Sequence, residues 1–436
     1  MRTMAFRDQD ERAEHRLAAI PCGDRVPVVI VALGVALLPL LRPKGPAHVS
    51  PADLVMAGGV LATLLWASAT RAKLHVPYVV PVGIMVLAGC LSALFGIAPR
   101  IGLIAVVQDV FLLSWCAAVL SACRKPASLG IVLRTWSWSA VGWATVLMFA
   151  VLTHRHGLAG ISRADGGRAA LTFDHPNMAA NYFFISLFVV VLARSPRNRL
   201  ARLAACVLLL GALVVTGSNA ALLGLPIAAG VAGYVAIRRY ADSVTALAVV
   251  LVVVLAGGLG VTVVQKRVVD SIHRSNNKFV HYSVARSSRS ASAREQLFAQ
   301  EYALFRTGNL LGRGPASTRL TLGTSTAPTV KEAHDDYLAT LVERGALGFV
   351  GLMLLIGTIV IRASNIEPRR LTAQFRRVVP STAPLIGALV AMAVSAFTHE
   401  VLHYRHFWAL LGILAALYLF GREEELSPGA PARALR

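Results

Sequence analysis

Long apolar segments, separated by short polar ones, dominate the sequence. A helix needs about 20 predominantly apolar residues to cross a bilayer, and about twelve segments have roughly this length and character. The predicted spans are residues 26–41, 52–70, 78–95, 101–123, 131–153, 177–193, 200–216, 219–237, 244–264, 337–361, 380–398 and 405–420. Only 15% of the residues are charged, and 56% are hydrophobic, so the chain lacks the polar residues that a water-soluble surface needs. We therefore predict an all-α, polytopic membrane protein.

The predicted spans divide the chain into five parts. A first group of nine transmembrane helices (26–264) is separated from a second group of three (337–420) by one long loop (265–336). A tail precedes the first group (1–25), and another follows the second (421–436). The first tail has no compact apolar core followed by small residues, so we do not expect it to be a cleavable signal peptide.

Basic residues predict the orientation of the chain in the membrane. Lys and Arg number 43 against 22 Asp and Glu, for a net charge of +21. In a soluble protein, this surplus of basic residues would indicate nucleic acid binding. In a membrane protein, the basic residues first have to be assigned to the two sides of the membrane. Most of the basic residues in short loops fall on the side of both tails. The positive-inside rule then predicts cytoplasmic termini and an extracytoplasmic long loop, with membrane lipids and not nucleic acid as the partners of its charges.

The long loop contains three different segments. Residues 283–293 are rich in Ser and Arg, and we expect them to be mobile. In 294–306, the residues Leu297, Phe298, Tyr302 and Phe305 are predicted to share one face of an amphipathic helix that lies across the outer mouth of the bundle. The glycines and proline of 308–318 predict a tight turn.

A histidine with acidic neighbours precedes the tenth predicted span. His334 is followed by Asp335 and Asp336. An imidazole that is oriented by a carboxylate suits a general base. A solvated helix cap built around Asp335 explains the same residues equally well.

Three arginines are candidates for binding phosphate, because a guanidinium group binds phosphate oxygens bidentately and stays charged. Arg294 begins the predicted amphipathic helix, whereas Arg163 and Arg168 lie in the outer loop before the sixth span. For most arginines of an extracytoplasmic loop, simple solvation and contact with anionic headgroups is the more common explanation.

Other histidines have weaker functional cases. His175 precedes Pro176, which suits the first turn of a helix, so that His175 or Asp174 is more readily explained as a cap. The segment 398–408 contains His399, His403 and His406 with Glu400, but these lack the HExxH spacing that places zinc ligands on one helical turn. We expect a polar lining of an outer cavity, and no metal site.

These motifs, in their order along the chain, resemble the O-antigen ligase and O-antigen polymerase superfamily of bacterial polysaccharide assembly. The resemblance covers roughly residues 160–420. It is strongest in AHDDYLATLVERGALG, through His334, Asp335, Tyr337, Leu338, Glu343, Gly345 and Gly348. Weaker similarities are Arg294 with Leu297, Phe298 and GNLLGRGP; Phe173, His175, Pro176, Asn177 and Ala179; and the closing segment from His403 to Trp408.

The chain departs from the family pattern at one position. Many members carry Thr-x-Ser-Arg where this chain has TGSNAALLG, so that Asn219 occupies the place of an arginine. If that arginine holds a phosphate, Asn219 offers hydrogen bonds without charge, and Arg168 or Arg163 is the candidate substitute.

The resemblance implies a metal-independent glycosyltransferase without a cofactor, on the outer face of the cytoplasmic membrane. Such enzymes transfer a glycan from an undecaprenyl-diphosphate-linked donor to a hydroxyl of a saccharide or glycolipid acceptor. We expect His334 to act as general base, oriented by Asp335 or Asp336, and arginines to neutralise the diphosphate leaving group. The residues predicted to bind diphosphate are Arg294, Arg168 and Arg163, and those predicted to line the cavity are His175, Asn177, Asn219, Tyr337, Glu343, His403 and Arg405.

Two other classes of protein remain open from the sequence. A secondary transporter or a flippase for lipid-linked oligosaccharide would also have many spans, and Asp109 in the fourth span would be its coupling carboxylate. A structural membrane scaffold would leave the placement of the histidines and arginines unexplained. The choice between ligase and polymerase depends on the acceptor, which the sequence does not identify.

Overall fold

The computed structural model describes residues 22–45, 49–161, 168–256, 287–322 and 335–422. Within these ranges the regular structure is helical, apart from an isolated β-bridge between Leu371 and Arg422. The helices before the long loop are α1 (Cys22–Ala36), α2 (Pro51–Thr70), α3 (Val79–Phe95), α4 (Pro99–Ala122), α5 (Pro126–Leu152), α6 (Pro176–Leu192), α7 (Arg199–Val215), α8 (Asn219–Ile237) and α9 (Ser243–Ala256). Those that follow are α10 (Ser287–Thr307), α11 (Thr318–Thr321), α12 (Asp336–Ser364), α13 (Ala373–Val378), α14 (Ala383–Ala396) and α15 (Arg405–Phe420).

Local sequence explains where many of these helices begin. Helices α2, α4, α5 and α6 each begin at a proline, whose missing N–H costs nothing in the first turn. Ser50 adds a capping box to α2, since its hydroxyl accepts from the N–H of Asp53 and the Asp53 carboxylate accepts from the N–H of Ser50. These signals are local, and each can be recognised in the sequence.

Each of the twelve predicted spans contains a helix. Five helices are long and apolar enough to cross a membrane by length and composition: α2, α4, α5, α8 and α12. Five more are apolar but only 10–17 residues long: α3, α6, α9, α14 and α15. The helical class of the fold is therefore confirmed, whereas the number of helices that cross the membrane stays a prediction.

Large apolar side chains lie on both the inside and the outside of the bundle. The interior packs Trp115, Trp136 and Phe183 at 0% exposure, while Leu65 and Leu203 on the surface are more than 60% exposed. An exposed apolar surface of this kind suits contact with lipid chains. Helix α15 is largely enclosed, because every residue from 406 to 417 is buried. It packs against α4 and α12, and α12 packs along α3.

Helix α10 differs from the prediction for the long loop in two ways. It begins at Ser287, so residues 287–293, which we expected to be mobile, are helical; their Ala and Arg residues are good helix formers. The predicted apolar face is also split. Leu297 and Leu304 pack against Ala339 of α12, whereas the aromatic side chains are exposed: Phe298, Tyr302 and Phe305. Positions 298, 302 and 305 share a neighbouring helical face, which suits the boundary between water and membrane.

Candidate active site

Loop segments from distant parts of the chain meet at one end of the bundle, which we call the polar end. It comprises residues 37–45, 96–98, 153–161, 168–175, 308–322 and 397–404. The Lys44 Nζ atom lies 3.0 Å from an Asp174 carboxylate oxygen, and the N–H of Ile97 donates to the carbonyl of Arg313 at 3.1 Å. All of the predicted site residues that the structure describes lie at or next to this end.

Helix α12 is interrupted at Gly345, and the interruption builds the centre of the polar end. Gly345 has φ +66° and ψ −167°, a conformation that is almost restricted to glycine. The N–H groups of Arg313 and Gly314 donate to the carbonyls of Val342 and Glu343, each at 2.9 Å, and the N–H of Ala346 donates to the carbonyl of Leu310 at 3.0 Å. The turn at 308–316 thus satisfies the backbone groups that the interruption frees, as a buried irregular segment requires.

Glu343 holds the same turn through its side chain. Its carboxylate accepts from the N–H of Ala316 at 2.8 Å, from the N–H of Thr318 at 3.1 Å, and from the Thr318 hydroxyl. The residue is 7% exposed. Glu343, which we expected to line a cavity, therefore anchors the turn to α12.

A buried ion pair lies beside the interruption. The Arg344 Nη1 atom is 2.6 Å from the Asp109 Oδ2 atom of α4, and it also donates to the carbonyl of Met85 in α3 at 3.3 Å. Both side chains are less than 10% exposed. Asp109 was a candidate from the sequence, whereas Arg344 was missed, although an arginine inside a predicted span needs a partner in the membrane.

The two aspartates at the start of α12 bind backbone N–H groups. Asp335 caps α12, since its carboxylate accepts from the N–H of Leu338. Asp336 is 4% exposed and accepts from the N–H of Val401 at 2.7 Å and of Leu402 at 3.4 Å. The cap formed by Asp335 is therefore confirmed, but at 8% exposure Asp335 is buried and not solvated as we expected. Asp336 fastens the segment 397–404 to α12. His334 and Arg163 lie outside the described residues.

His403 lies among charged side chains. Its Nε2 atom lies 3.5 Å from a Glu400 carboxylate oxygen, and its Nδ1 atom has no hydrogen-bond partner among the described residues. Burial lowers the pKa of His403 to about 4; the nearby Asp109 raises the pKa, while Arg319, Arg344 and Arg405 lower it further. The imidazole is thus neutral near pH 7. It becomes protonated only as the pH falls towards its pKa of about 4.

The other histidines of this segment have separate partners. The His399 Nδ1 atom lies 2.8 Å from the Thr398 hydroxyl, and the His406 Nε2 atom lies 2.8 Å from the Asn181 side-chain oxygen. Over the described ranges, no three His, Cys, Asp or Glu side chains are grouped as metal ligands would be. The three histidines of the segment therefore do not converge.

A narrow polar crevice lies between α6, α8, α14 and the segment 397–404. Its polar lining consists of Asn177, Asn181, Ser218, Ser395, His399 and Tyr404. Arg168 borders it, because its Nη1 atom donates to the Asn177 side-chain oxygen at 3.0 Å. The Asn181 side-chain nitrogen is buried without a hydrogen-bond partner among the described residues. Sequence reasoning missed Asn181, although it follows Asn177 by one helical turn on the same face of α6.

One predicted residue, His175, supports this crevice. His175 caps α6, since its Nδ1 atom accepts from the N–H of Asn177 at 3.2 Å, as the capping interpretation predicts. Asn219 is the first residue of α8, and Arg294 lies in α10; the side chains of both fall outside the described part of the chain. Their helices nevertheless begin or lie at the polar end.

Tyr337 and Arg405 stabilise the surrounding helices. The Tyr337 ring packs on Phe397 with centroids 4.5 Å apart, and its hydroxyl donates to the carbonyl of Ala393 at 3.4 Å. Arg405 forms a bidentate ion pair with Asp53, with distances of 2.6 and 2.7 Å. The guanidinium fork of Arg405 is therefore occupied by a carboxylate of α2. Asp53 was missed as its partner, although the capping box that holds it is visible in the sequence.

A bundle of apolar helices with buried charges and a polar crevice at one end indicates a multi-pass membrane protein. Residues 204–353 match the family model for O-antigen ligase, which supports membership of the chain in the O-antigen ligase superfamily. No curated protein matches the chain.

The match extends from α7 into α12 and so includes the turn at 308–316, Glu343 and Gly345. It indicates a membrane enzyme of the ligase or polymerase type, with lipid-linked glycan and saccharide substrates in general terms. Arg168, His175, Asn177, His403 and Arg405 lie outside the matched range.

Proposed function

We propose that the chain is an O-antigen ligase-like glycosyltransferase. It transfers or polymerises a glycan from an undecaprenyl-diphosphate-linked donor onto a hydroxyl of an acceptor saccharide or glycolipid, on the outer face of the cytoplasmic membrane. The observation that carries this proposal is the family match over 204–353, which includes the interrupted helix α12 and the turn bound to it.

In the proposed reaction, His334 removes the proton of the acceptor hydroxyl. The acceptor oxygen forms a bond to the anomeric carbon of the donor glycan, while the bond from that carbon to the diphosphate oxygen breaks. The undecaprenyl diphosphate departs with the bonding electrons, and the proton stays on the imidazole until water or the leaving group takes it. Asp335, the next residue after His334, lies at the start of α12 at the polar end, and this adjacency in sequence is the support for assigning His334 to the site.

Fixed guanidinium groups neutralise the leaving group in this proposal. Arg168 is held at the edge of the polar crevice by Asn177, which supports a role for it at the diphosphate. Arg294 and Arg163 are the other proposed contacts. Stabilisation of this charge by preorganised cations makes the proposed reaction independent of a metal ion or cofactor.

The test is an in vitro transfer assay with purified chain in proteoliposomes and an undecaprenyl-diphosphate oligosaccharide. His334→Ala is expected to reduce turnover at least 100-fold, the usual contribution of a general base. The matched control is His156→Ala, at an exposed histidine of the same end, which should keep wild-type turnover. Wild-type turnover in folded His334→Ala would refute the assignment.

A second arm of the same assay concerns the donor. Arg294→Lys keeps the charge but loses the fork geometry, so the KM for the donor should rise. Arg306→Lys changes an exposed arginine of the same helix and should leave this KM unchanged. The product distinguishes the two kinds of enzyme, because a polymerase leaves the glycan on the polyprenyl carrier and a ligase moves it to another acceptor.

A secondary transporter or flippase is the second candidate. The interrupted helix α12 beside the buried pair of Asp109 and Arg344 favours it, since transporters build midplane sites from interrupted helices. The ion pair between Asp109 and Arg344 weighs against a transporter. Arg344 already neutralises Asp109, so that no negative charge is left there for a coupling ion. Movement of lipid-linked oligosaccharide across liposomes without any new glycosidic bond would establish the transporter and exclude the enzyme.

A further inference from the structure

A second cavity lies at the end of the bundle opposite the polar end. It has a volume of ≈200 Å³ and is formed by the start of α1, the end of α2 and the turn between α4 and α5. The polar residues that line it are Asp24, Trp66, Thr70, Ser121, Arg124, Lys125 and Ser128. None of them belongs to the site described above.

The charges of this cavity are not balanced. Lys125 pairs with Asp24 at 2.5 Å, and the same carboxylate accepts from the Trp66 indole N–H at 2.8 Å. Arg124 forms no direct ion pair with a carboxylate of the described residues, although its positive charge acts on the Asp24 carboxylate. Its guanidinium carbon lies 5.2 Å from the centroid of the Trp66 ring and 5.5 Å from that of Phe420. Among the described residues that line the cavity, two cations and one carboxylate leave a net charge of +1.

A buried hydroxyl also faces this cavity. Ser128 lines it at 2% exposure and forms no side-chain hydrogen bond with any residue that the structure describes. It lies in the first turn of α5, where the capping residue Lys125 makes no side-chain hydrogen bond to the free N–H groups. Because Ser128 lines the cavity, its hydroxyl is accessible to a ligand or to water there. Arginine, a hydroxyl and helix N–H groups together suit the oxygens of a phosphate.

The surroundings of the cavity indicate that the phosphate belongs to a lipid. Trp66 is of the residue type enriched at membrane boundaries, and next to the lining residues in sequence Val26, Val29 and Leu65 are 59%, 47% and 62% exposed. A ligand bound here would meet both a cationic pocket and an apolar surface at the end of the helices. We propose that this cavity binds the phosphate of an anionic phospholipid, in the leaflet opposite the candidate active site.

The experiment follows thermal unfolding of the full-length chain in detergent as lipid is added. Phosphatidylglycerol is the probe, with phosphatidylcholine of the same acyl chains and inorganic phosphate as comparisons. A ligand that binds the folded state raises the unfolding midpoint with its concentration, which gives an apparent Kd. We expect saturable stabilisation by phosphatidylglycerol, much weaker stabilisation by phosphatidylcholine, and none by inorganic phosphate at equal concentration.

Three variants locate the effect. Arg124→Gln should weaken the apparent Kd for phosphatidylglycerol about tenfold, as expected for a lost charge-assisted hydrogen bond. Ser128→Ala, a smaller change that tests the site if Arg124→Gln does not fold, should weaken it about threefold. Lys73→Gln removes an exposed cation that follows α2 but does not line the cavity, and should match the wild type.

Three outcomes would overturn the proposal. Equal stabilisation by phosphatidylcholine would show that the charge is not recognised. Equal stabilisation by inorganic phosphate would show a free-anion site. An equal loss in Lys73→Gln would show general attraction of basic residues to an anionic surface.

Discussion

At the scale of single residues, charged side chains of the polar end are held by partners far away in the sequence. Arg344 pairs with Asp109, and Arg405 pairs with Asp53, each pair joining two helices. Inside a membrane protein an unpaired charge is very costly, whereas a paired one is tolerated. These pairs therefore constrain which helices can be neighbours.

Removing one charge of the buried pair should cost more than removing both. Arg344→Gln leaves the Asp109 carboxylate buried and uncompensated, and should destabilise the protein by about 3–5 kcal/mol. The double variant Asp109→Asn/Arg344→Gln buries no charge and should be destabilised less than either single variant. Thermal unfolding of the three variants in detergent measures this coupling.

The exposed pair of Glu367 and Arg370, 3.9 Å apart, provides the matched control. Arg370→Gln should change stability by no more than about 1 kcal/mol, because exposed pairs contribute little. If the double variant loses as much stability as the sum of the two single variants, the pair does not act as a unit.

At the scale of elements, helix α12 holds two loop segments through its interruption and through the side chains of Glu343 and Asp336. The turn bonds to the interruption through its backbone, Glu343 binds the turn, and Asp336 binds the segment 397–404. Two loop segments therefore depend on the geometry of one helix.

Gly345→Ala should disrupt this arrangement. A Cβ atom at this position would lie 2.1 Å from the carbonyl oxygen of Leu310, and the φ of +66° is unfavourable for alanine. We expect a lower unfolding midpoint and faster tryptic cleavage after Arg313. Gly357→Ala in the same helix is the control: its Cβ would meet no atom within 4 Å, so stability should be equal or slightly higher. Equal cleavage of the Gly345→Ala and Gly357→Ala variants would contradict the role of the interruption.

Sequence reasoning located elements better than it located their partners. Apolar length and proline predicted the helices, and Pro176 indicated the cap formed by His175, because these signals act within a few residues. The same reasoning named Glu343 but not its bonds to Ala316 and Thr318, and named Asp109 without Arg344. Those contacts join positions 25 to 235 residues apart in the chain, and no local pattern encodes them.

At the scale of the whole molecule, the two ends of the bundle differ in character. One end carries the polar crevice and the turn at 308–316, and the other carries the basic cavity around Arg124. Because the helices alternate in direction, the orientation of one loop determines the orientation of all the others. The distribution of basic residues predicts that the polar end is extracytoplasmic.

Cysteine labelling of intact spheroplasts tests this orientation. In a background in which the native cysteines are replaced by serine, Asn309→Cys places an exposed thiol at the polar end and Glu367→Cys places one at the opposite end. A membrane-impermeant maleimide should label Asn309→Cys directly and Glu367→Cys only after the membrane is permeabilised. The reverse pattern would invert the topology and place the candidate site in the cytoplasm.

The enclosure of α15 has a consequence for biogenesis. This helix is buried from 406 to 417, yet it is the final described helix, so a ribosome makes it after all the helices that surround it. The earlier helices must either leave a space that α15 fills or separate again to admit α15. The ion pair between Arg405 and Asp53 can therefore form only after the insertion of α15, and a chain released before that point would lack this link between α2 and α15.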